Sequence, residues 1–304
     1  MQHNYSYQAT LAASERIGWK VDDIIGGDKQ LDFTKPFMPE SLAQVKHISF
    51  LNPEEQLTLN HIRGHEYLAM FGLVEEFILP YVVDHARPQL SGDDYRVRAL
   101  LQFAGEEAKH IHLFKRFRQE FEAGFGSNCD FIGPAEDVSR FVLSHSPLSV
   151  GIAMLHIEWM TLRHYIEGVR DNQNLDPQFK SLLKHHWMEE SQQHTKLDTL
   201  IIESVVKGAT PKEIDQAFEE YGEIGTFLDN GAKQQAEFET ESFVQATGRK
   251  LSKSEREEMT NAVLKGMRWT YLGTGMTHPN FLATVEQISP EGKKQIEAMA
   301  PMFC

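Results

Sequence analysis

Two pairs of residues in this sequence combine a carboxylate with an imidazole at a spacing that suits metal binding. Glu107 and His110 form a Glu-x-x-His pair, and Glu190 and His194 form a Glu-x-x-x-His pair. Residues three or four positions apart lie on one face of a helix, so both members of a pair can reach the same metal site. Carboxylate oxygens and imidazole nitrogens are ligands that suit non-haem iron. The two pairs therefore predict a site for two metal ions between helices.

The residues around the first pair indicate that it is buried. Phe103 and Phe114 flank Glu107 and His110 on the apolar stripe of a helix that the pattern predicts over residues 93–123. An exposed Glu-His pair is the common alternative for so short a motif. Burying two ionisable groups without partners costs several kcal/mol, so a pair on a phenylalanine stripe favours a metal or another strong partner.

The second pair lies on a helix predicted over residues 178–207, and its spacing is one residue longer because position 193 is glutamine. A single π turn is frequent at functional sites, and it would keep Glu190 and His194 pointing inward. The neighbouring Glu189 is an alternative ligand to Glu190. The sequence alone leaves that choice open.

A bundle that binds two metal ions in this way takes one further glutamate from each of two other helices. Glu158 precedes Glu190 by 32 residues, and it shares an apolar stripe with Leu155 and Leu162. This stripe belongs to a helix predicted over residues 149–170. We therefore expect Glu158 to be buried and to serve as the glutamate of this helix.

The remaining helix, predicted over residues 53–85, offers two neighbouring glutamates. Glu75 and Glu76 precede Glu107 by 32 and 31 residues. We predict Glu76 as the ligand, because it shares a face with Ala69 and Gly72, whose small side chains would leave room for a metal and a substrate. Glu75, on the stripe of Phe71, is the alternative.

The helical pattern extends beyond these four segments. Thr210, Pro211 and Glu213 form a helix start, and further helices follow in residues 209–304. Strand-like alternation is absent from the sequence. These patterns predict an all-α protein, with a ferritin-like four-helix bundle core and extra C-terminal helices. Residues 1–50 are expected to form an irregular arm packed on the bundle, 51–208 the metal-binding core, and 209–304 additional helices completing the same domain.

Composition narrows the functional classes. The formal net charge of −14 argues against a nucleic-acid partner, which would require a basic surface. With only Cys129 and Cys304, a disulfide framework and a thiolate metal site are excluded. The chain begins without a basic segment followed by an apolar one, and its apolar runs are too short to span a membrane. A cytoplasmic location is therefore expected.

The combined motifs resemble the ferritin-like di-iron oxygenases, and most closely the p-aminobenzoate N-oxygenase family. The resemblance covers roughly residues 50–205 and rests on Glu76, Glu107-Ala-Lys-His110, Glu158, Glu190 and His194. That family carries a third histidine one turn before the glutamate of the fourth helix, and His186 stands in that place. The sequence departs from the family in the spacing of Glu190 and His194. The predicted ligands are Glu76, Glu107, His110, Glu158, His186, Glu190 and His194.

The resemblance implies two iron ions that activate dioxygen and oxidise a small-molecule substrate, in this family often an amine. Manganese or a mixed Fe/Mn pair would fit the same ligands. An external electron donor is expected, because the sequence contains no Gly-x-Gly-x-x-Gly fingerprint of a bound nucleotide cofactor. A homodimer is one option for assembly. The alternative functions are an iron-handling, ferroxidase-type protein and a metal-free helical interaction protein.

Overall fold

The computed structural model describes residues 3–304, apart from the side chain of Gln192, and all the regular secondary structure in this part of the chain is helical. The helices are α1 (Tyr7–Ser14), α2 (Glu40–Ala43), α3 (Pro53–Ala86), α4 (Asp94–Phe125), α5 (Ala135–Leu143), α6 (Pro147–Arg163), α7 (Pro177–Glu189), α8 (Thr195–Val206), α9 (Pro211–Thr247), α10 (Lys253–Arg268), α11 (Thr274–Met276), α12 (Pro279–Ile288) and α13 (Pro290–Met299). Within residues 3–304, extended backbone pairs only in one isolated bridge between Gly26 and Lys29. The prediction of an all-α protein is confirmed.

Three π turns interrupt these helices. His164–Val169 extends α6, Glu190–His194 joins α7 to α8, and Trp269–Gly273 joins α10 to α11. A π turn holds about one residue more than an α turn, so it changes which side chains share a face. All three turns contribute polar side chains or backbone groups to the interior of the protein.

Four helical segments form the core: α3, α4, α6 with its π turn, and α7 continuing into α8. They correspond to the four predicted helices. α3 packs along α4, and α6 packs against α8. α3 begins at Asn52, whose side chain accepts from the backbone of Glu55 while Glu55 caps Asn52 in return. The predicted four-helix bundle core with extra C-terminal helices is confirmed. No helix in residues 3–304 has an apolar stretch long enough to cross a membrane.

Two segments differ from the sequence prediction. The N-terminal arm is not irregular throughout, because Ser6 caps a regular helix, α1, that packs on α4. The stretch after Pro134, which lies between the helices predicted over residues 93–123 and 149–170, contains a further helix, α5. Both helices are short and owe their stability to packing on the core, which a reading of local pattern does not reveal.

The C-terminal helices pack on the core through α9, which contacts α3 and α6. Thr210 and Glu213 cap its start reciprocally, as predicted, and it ends at Gly248, which adopts the left-handed conformation with φ of 66°. Inside this contact the guanidinium of Arg63, on α3, lies 3.2 Å from Glu66 and 3.1 Å from Glu239 of α9. All three side chains are buried. A buried network of one guanidinium and two carboxyl groups therefore joins α9 to the core.

This network generates a stability prediction. Arg63→Ala leaves Glu66 and Glu239 buried without their cation, so it should lower the free energy of unfolding by about 3–5 kcal/mol. Arg256→Ala, which removes an exposed ion pair with Glu241, should cost no more than about 1 kcal/mol. Urea unfolding followed by circular dichroism measures both. Equal losses for the two variants would contradict the structural role of Arg63.

Candidate metal centre

Four carboxylates and three imidazoles meet at the centre of the four-helix core. They come from all four core segments, and each residue is at most 2% exposed. The cluster consists of Glu75, Glu107, His110, Glu158, His186, Glu190 and His194. Six of these seven are residues that the sequence pattern singled out as ligands. The seventh, Glu75, was the alternative to Glu76.

The structure corrects the choice between these two glutamates. Glu75 is 2% exposed, and its Oε1 lies 3.2 Å from His186 Nε2. Glu76 is exposed and lines a surface cavity of about 340 Å³ between α3 and α4, together with Ala69 and Gly72. The small side chains of Ala69 and Gly72 do leave space, but this space belongs to the surface cavity and lies outside the cluster. The apolar stripe that carries Phe71 and Glu75 is the face that α3 turns to the core.

The predicted π turn is present, and it explains the longer spacing on the fourth helix. Glu190–His194 forms this turn. Because a π turn contains about one residue more than an α turn, Glu190 and His194 face the core together although they are four residues apart. Glu190 Oε2 consequently lies 2.9 Å from His194 Nδ1. Glu107 and His110, three residues apart on regular helix α4, have a separation of 3.7 Å between Oε2 and Nδ1.

Glu190 occupies the middle of the cluster. Its Oε1 lies 2.9 Å from His186 Nε2 and 3.5 Å from His110 Nδ1, while its Oε2 faces His194. Glu107 is placed in the same way, with Oε1 3.0 Å from His194 Nδ1 and Oε2 towards His110. Each of these two carboxylates therefore directs one oxygen to either side of the cluster.

The ligand atoms fall into two overlapping groups, and in each group all the ligand atoms lie within 4.8 Å of one another. One group is Glu75, His110, His186 and Glu190, and the other is Glu107, His110, Glu190 and His194. An imidazole nitrogen has one lone pair and can serve one ion, whereas a carboxylate has two oxygens and can serve two. Glu158 Oε1 lies 3.9 Å from His194 Nδ1, on the side of the second group. The geometry fits two adjacent ions that share Glu107 and Glu190.

In two of the histidines, the ring nitrogen that points away from the cluster is hydrogen-bonded to a carboxylate on the opposite helix. His110 Nε2 on α4 is 2.8 Å from Glu189 Oε2, and His194 Nε2 is 3.0 Å from Glu106 Oε2 on α4. These contacts leave Nδ1 of both rings directed at the cluster. A metal-bound histidine is typically oriented by such a partner. Glu189 therefore orients His110, and Glu190 is the residue that faces the cluster.

Sequence reasoning missed the role of Glu106. Glu106-Glu107 and Glu189-Glu190 are both pairs of adjacent glutamates, one in each helix that supplies a histidine. In both pairs the second residue faces the cluster and the first reaches across to the other helix. The repetition of the pair was the available signal.

The N-terminal arm completes the surroundings of these supporting carboxylates. The hydroxyl of Ser14, on α1, donates to Glu106 Oε1, and Gln102 donates to the same oxygen at 3.1 Å. Glu189 forms an ion pair with Lys109, whose ammonium lies 3.8 Å from the centre of the Trp19 ring. Residues of the arm thus cover the outer side of the cluster and exclude water from it.

Five ligand atoms in the cluster have no hydrogen-bond partner among the side chains that the structure describes. They are both oxygens of Glu107, Oε2 of Glu190, and Nδ1 of His110 and of His194. Several lie close to one another without the alignment of a hydrogen bond. A buried polar atom left unpaired costs about 1–3 kcal/mol, and more when it is charged. A converging set of such atoms is therefore suited to hold cations.

The charges of the cluster perturb its pKa values. Burial, together with the charge of Glu107, holds the pKa of the Glu75 and Glu190 carboxyls above their usual range. Burial also acts against ionisation of Glu107, but the neighbouring Glu75 carboxyl and the imidazolium of His194 outweigh it and keep the Glu107 pKa well below its usual range. Burial disfavours a charged His110, yet the nearby carboxylates of Glu107 and Glu189 raise its pKa to about 9. Protons thus supply part of the positive charge that the carboxylates require.

Comparisons with known proteins give a distant structural likeness. No protein-family model matches the sequence, and no curated protein matches it. A variant of an R2-like ligand-binding oxidase with an aerobically reconstituted Mn/Fe cofactor is 16% identical, with 88% of this chain and 93% of that chain covered and a TM-score of 0.45. Another variant with an Fe/Fe cofactor is 15% identical over the same shares, with a TM-score of 0.46. A long-soaked Mn/Fe form of the same oxidase is 15% identical, covering 88% and 92%, with a TM-score of 0.45.

The metal-free protein should lose stability as the pH rises from 6.5 to 9. The folded His110 keeps its proton up to a pKa of about 9, whereas the unfolded residue loses it near 6.5. The folded state therefore binds more protons in this window, and its stability falls with pH. Glu66, whose pKa burial raises to about 8, acts in the same direction.

Thermal unfolding in the presence of a chelator measures this effect. The comparison of wild type with His110→Gln removes the contribution of Glu66, which is common to both proteins. We expect a flatter profile for His110→Gln between pH 6.5 and 9. A wild-type stability that is constant or rising across this window would contradict the assigned protonation of the cluster.

Proposed function

We propose that this chain is a non-haem di-iron oxidoreductase that uses dioxygen to oxidise a small-molecule substrate. The observation that carries the proposal is the convergence of unpaired, fully buried carboxylate oxygens and imidazole nitrogens in one core. Oxygen and nitrogen ligands suit iron and manganese, so a mixed Fe/Mn pair is included in the proposal. A bound pair of this kind supplies the electrons that reduce dioxygen.

The positions of the donor atoms support a role for each residue. Glu75, His110 and His186 would hold one ion, while Glu158 and His194 would hold the other. Glu107 and Glu190 would bridge the two, because each directs one oxygen to either side. The seven residues supply four negative charges when every carboxylate is ionised and every imidazole is neutral, which balances two divalent ions. Without the two metal ions, four negative charges in this buried site would repel one another.

The chain's own residues keep the site dry and its histidines correctly oriented. Glu189 and Glu106 accept from Nε2 of His110 and His194, which fixes the tautomer that offers Nδ1 to a metal. Buried phenylalanine rings pack against two of the imidazoles. The ring centres of Phe71 and Phe114 lie 5.5 and 5.1 Å from that of His186, and the ring centre of Phe103 lies 4.2 Å from that of His194. Such walls protect an oxidising site from water and from side reactions.

We further propose an amine as the substrate, oxidised at nitrogen. Support comes from the third histidine, His186, whose Nε2 faces Glu75 and Glu190, and from the resemblance of this motif to the N-oxygenase family. The cavity that contains Glu76 also contains Phe114, whose ring separates it from His186. We propose this cavity as the approach of the substrate. An external donor would supply the electrons for each turnover.

Metal analysis after expression in iron-replete medium tests the proposal. The wild type should contain about two iron ions per chain. Glu190→Ala removes a bridging ligand, so it should lose most of both ions, whereas Glu76→Ala should retain both because that residue is exposed. A chain without metal, or a loss in Glu76→Ala equal to that in Glu190→Ala, would contradict the ligand assignment.

Reaction with oxygen separates the oxidase from an iron-handling protein. We expect the reduced, iron-loaded protein to consume oxygen and to convert an added arylamine into an N-oxidised product, detected by mass spectrometry. His186→Ala should retain metal but lose at least tenfold in product formation. Oxygen consumption that yields only ferric iron, with no product from any amine, would favour a ferroxidase-type function.

The supporting carboxylates give a further prediction. Glu189→Ala and Glu106→Ala remove the partners of His110 and His194, and loss of such a partner typically lowers metal affinity by roughly 10–100-fold. Titration with Co²⁺, followed by its visible absorption, measures the affinity. Glu76→Ala is the matched control. Unchanged affinity in both variants would show that these carboxylates do not position the ligands.

A further inference from the structure

A buried tyrosine–histidine pair lies beside the cluster and takes no part in holding it. Tyr67 is on α3, eight residues before Glu75, which places it about 12 Å away along the helix axis. It is 1% exposed, and its hydroxyl is 3.1 Å from Nδ1 of His164. His164 begins the π turn that extends α6, and it is 3% exposed.

The neighbours of His164 fix which nitrogen carries the proton. Its Nε2 lies 3.1 Å from the carbonyl oxygen of Thr270 and 3.0 Å from the Thr274 hydroxyl. A carbonyl oxygen only accepts, and the Thr274 hydroxyl itself donates to the same carbonyl at 2.7 Å. Nε2 must therefore be the donor, which leaves the lone pair on Nδ1. Tyr67 consequently donates its proton to His164, and burial lowers the His164 pKa to about 3, so the ring is neutral.

Aromatic rings connect this pair to the cluster and to the opposite side of the core. The Tyr67 ring centre is 4.4 Å from that of Phe71, which is 5.5 Å from that of His186. In the other direction Tyr271 lies 6.2 Å from Tyr67 and is only partly buried. The Tyr271 hydroxyl donates to Glu66 at 2.9 Å. Two hydrogen-bonded phenols thus lie in series between the cluster and the periphery.

A buried phenol is easier to oxidise when its proton has an acceptor. Removing an electron alone would leave the phenol as a radical cation, which is a much stronger acid than imidazolium, so oxidation is easier when the proton moves to a base at the same time. The imidazole of His164 can take the proton of Tyr67. Tyr81, on the same helix and 5% exposed, donates instead to the backbone carbonyl of Pro147 at 2.7 Å, which is a much weaker base. Of Tyr67 and Tyr81, only Tyr67 is therefore hydrogen-bonded to a base that can accept its proton on oxidation.

We propose that Tyr67 is a redox-active residue that passes one electron at a time to the metal pair, with His164 as its proton acceptor. The Tyr67 O–H bond breaks, a bond between the proton and His164 Nδ1 forms, and one electron reduces the metal pair. The oxidant is the pair after its reaction with dioxygen, so the inference rests on the proposed function. An electron from the external donor, arriving through Tyr271, restores the neutral phenol, and the proton returns from His164.

Freeze-quench electron paramagnetic resonance tests the proposal. The reduced, iron-loaded full chain is mixed with oxygen and frozen at intervals, in parallel with a sample carrying ring-deuterated tyrosine. We expect a transient organic-radical signal whose hyperfine splitting narrows on deuteration. Tyr67→Phe should lower its yield at least tenfold, and Tyr81→Phe should leave it unchanged. His164→Gln, which keeps Tyr67 but removes the proton acceptor, should also lower the yield at least tenfold.

Absorption changes of the iron, recorded on the same samples, separate failure of this inference from failure of the proposed function. If iron is bound and oxidised but no tyrosine signal forms, or if the signal persists in Tyr67→Phe, the redox role of Tyr67 is wrong and the oxidase proposal stands. If no iron is bound or oxidised, both are wrong. Circular dichroism of each variant verifies that it is folded, and His164→Gln keeps the test decisive should Tyr67→Phe fail to fold.

Discussion

The repulsion among carboxylates that share one dry core is the constraint on which the rest of this structure depends. Glu75, Glu107, Glu158 and Glu190 lie in a space bounded by helices whose other inward residues are largely apolar. Without cations, such a group can be buried only if protons are retained, and the raised pKa values of Glu75, Glu190 and His110 express that requirement. Metal ions would replace the protons and remove the repulsion. A helical protein with no need to bind cations gains nothing from this arrangement, because an apolar core of the same volume would be more stable.

The surrounding segments can be understood as supports for this core. Glu106 and Glu189 brace the histidines across the interface between α4 and the fourth core segment, and the arm in turn reaches Glu106 through Ser14. On the far side, the C-terminal π turn supplies Thr270, which fixes the tautomer of His164. The arm and the C-terminal helices, which lie outside the four-helix core, therefore help to orient imidazoles within it.

Much of the fold and of the site could be predicted from the sequence, because long amphipathic helices and the interval between their glutamates are local, periodic signals. The spacing of Glu190 and His194, one residue longer than that of Glu107 and His110, also indicated the π turn that the structure contains. The choice of Glu76 over Glu75 was wrong because space was inferred from small neighbours, and Ala69 and Gly72 border a surface cavity rather than the cluster. The roles of Glu106 and Ser14 depend on contacts between segments that are distant in sequence, and no local pattern encodes them. α1 and α5 were missed for the same reason, since both owe their structure to packing.

The central claim is that two metal ions lie side by side in this core and share Glu190. Crystallography of the iron-loaded protein, with anomalous diffraction recorded at the iron absorption edge, tests it most directly. The account predicts two anomalous peaks about 3–4 Å apart, both within bonding distance of the Glu190 carboxylate, with His110 and His186 on one peak and His194 on the other. A single peak, or a pair of peaks that does not contact Glu190, would contradict the account.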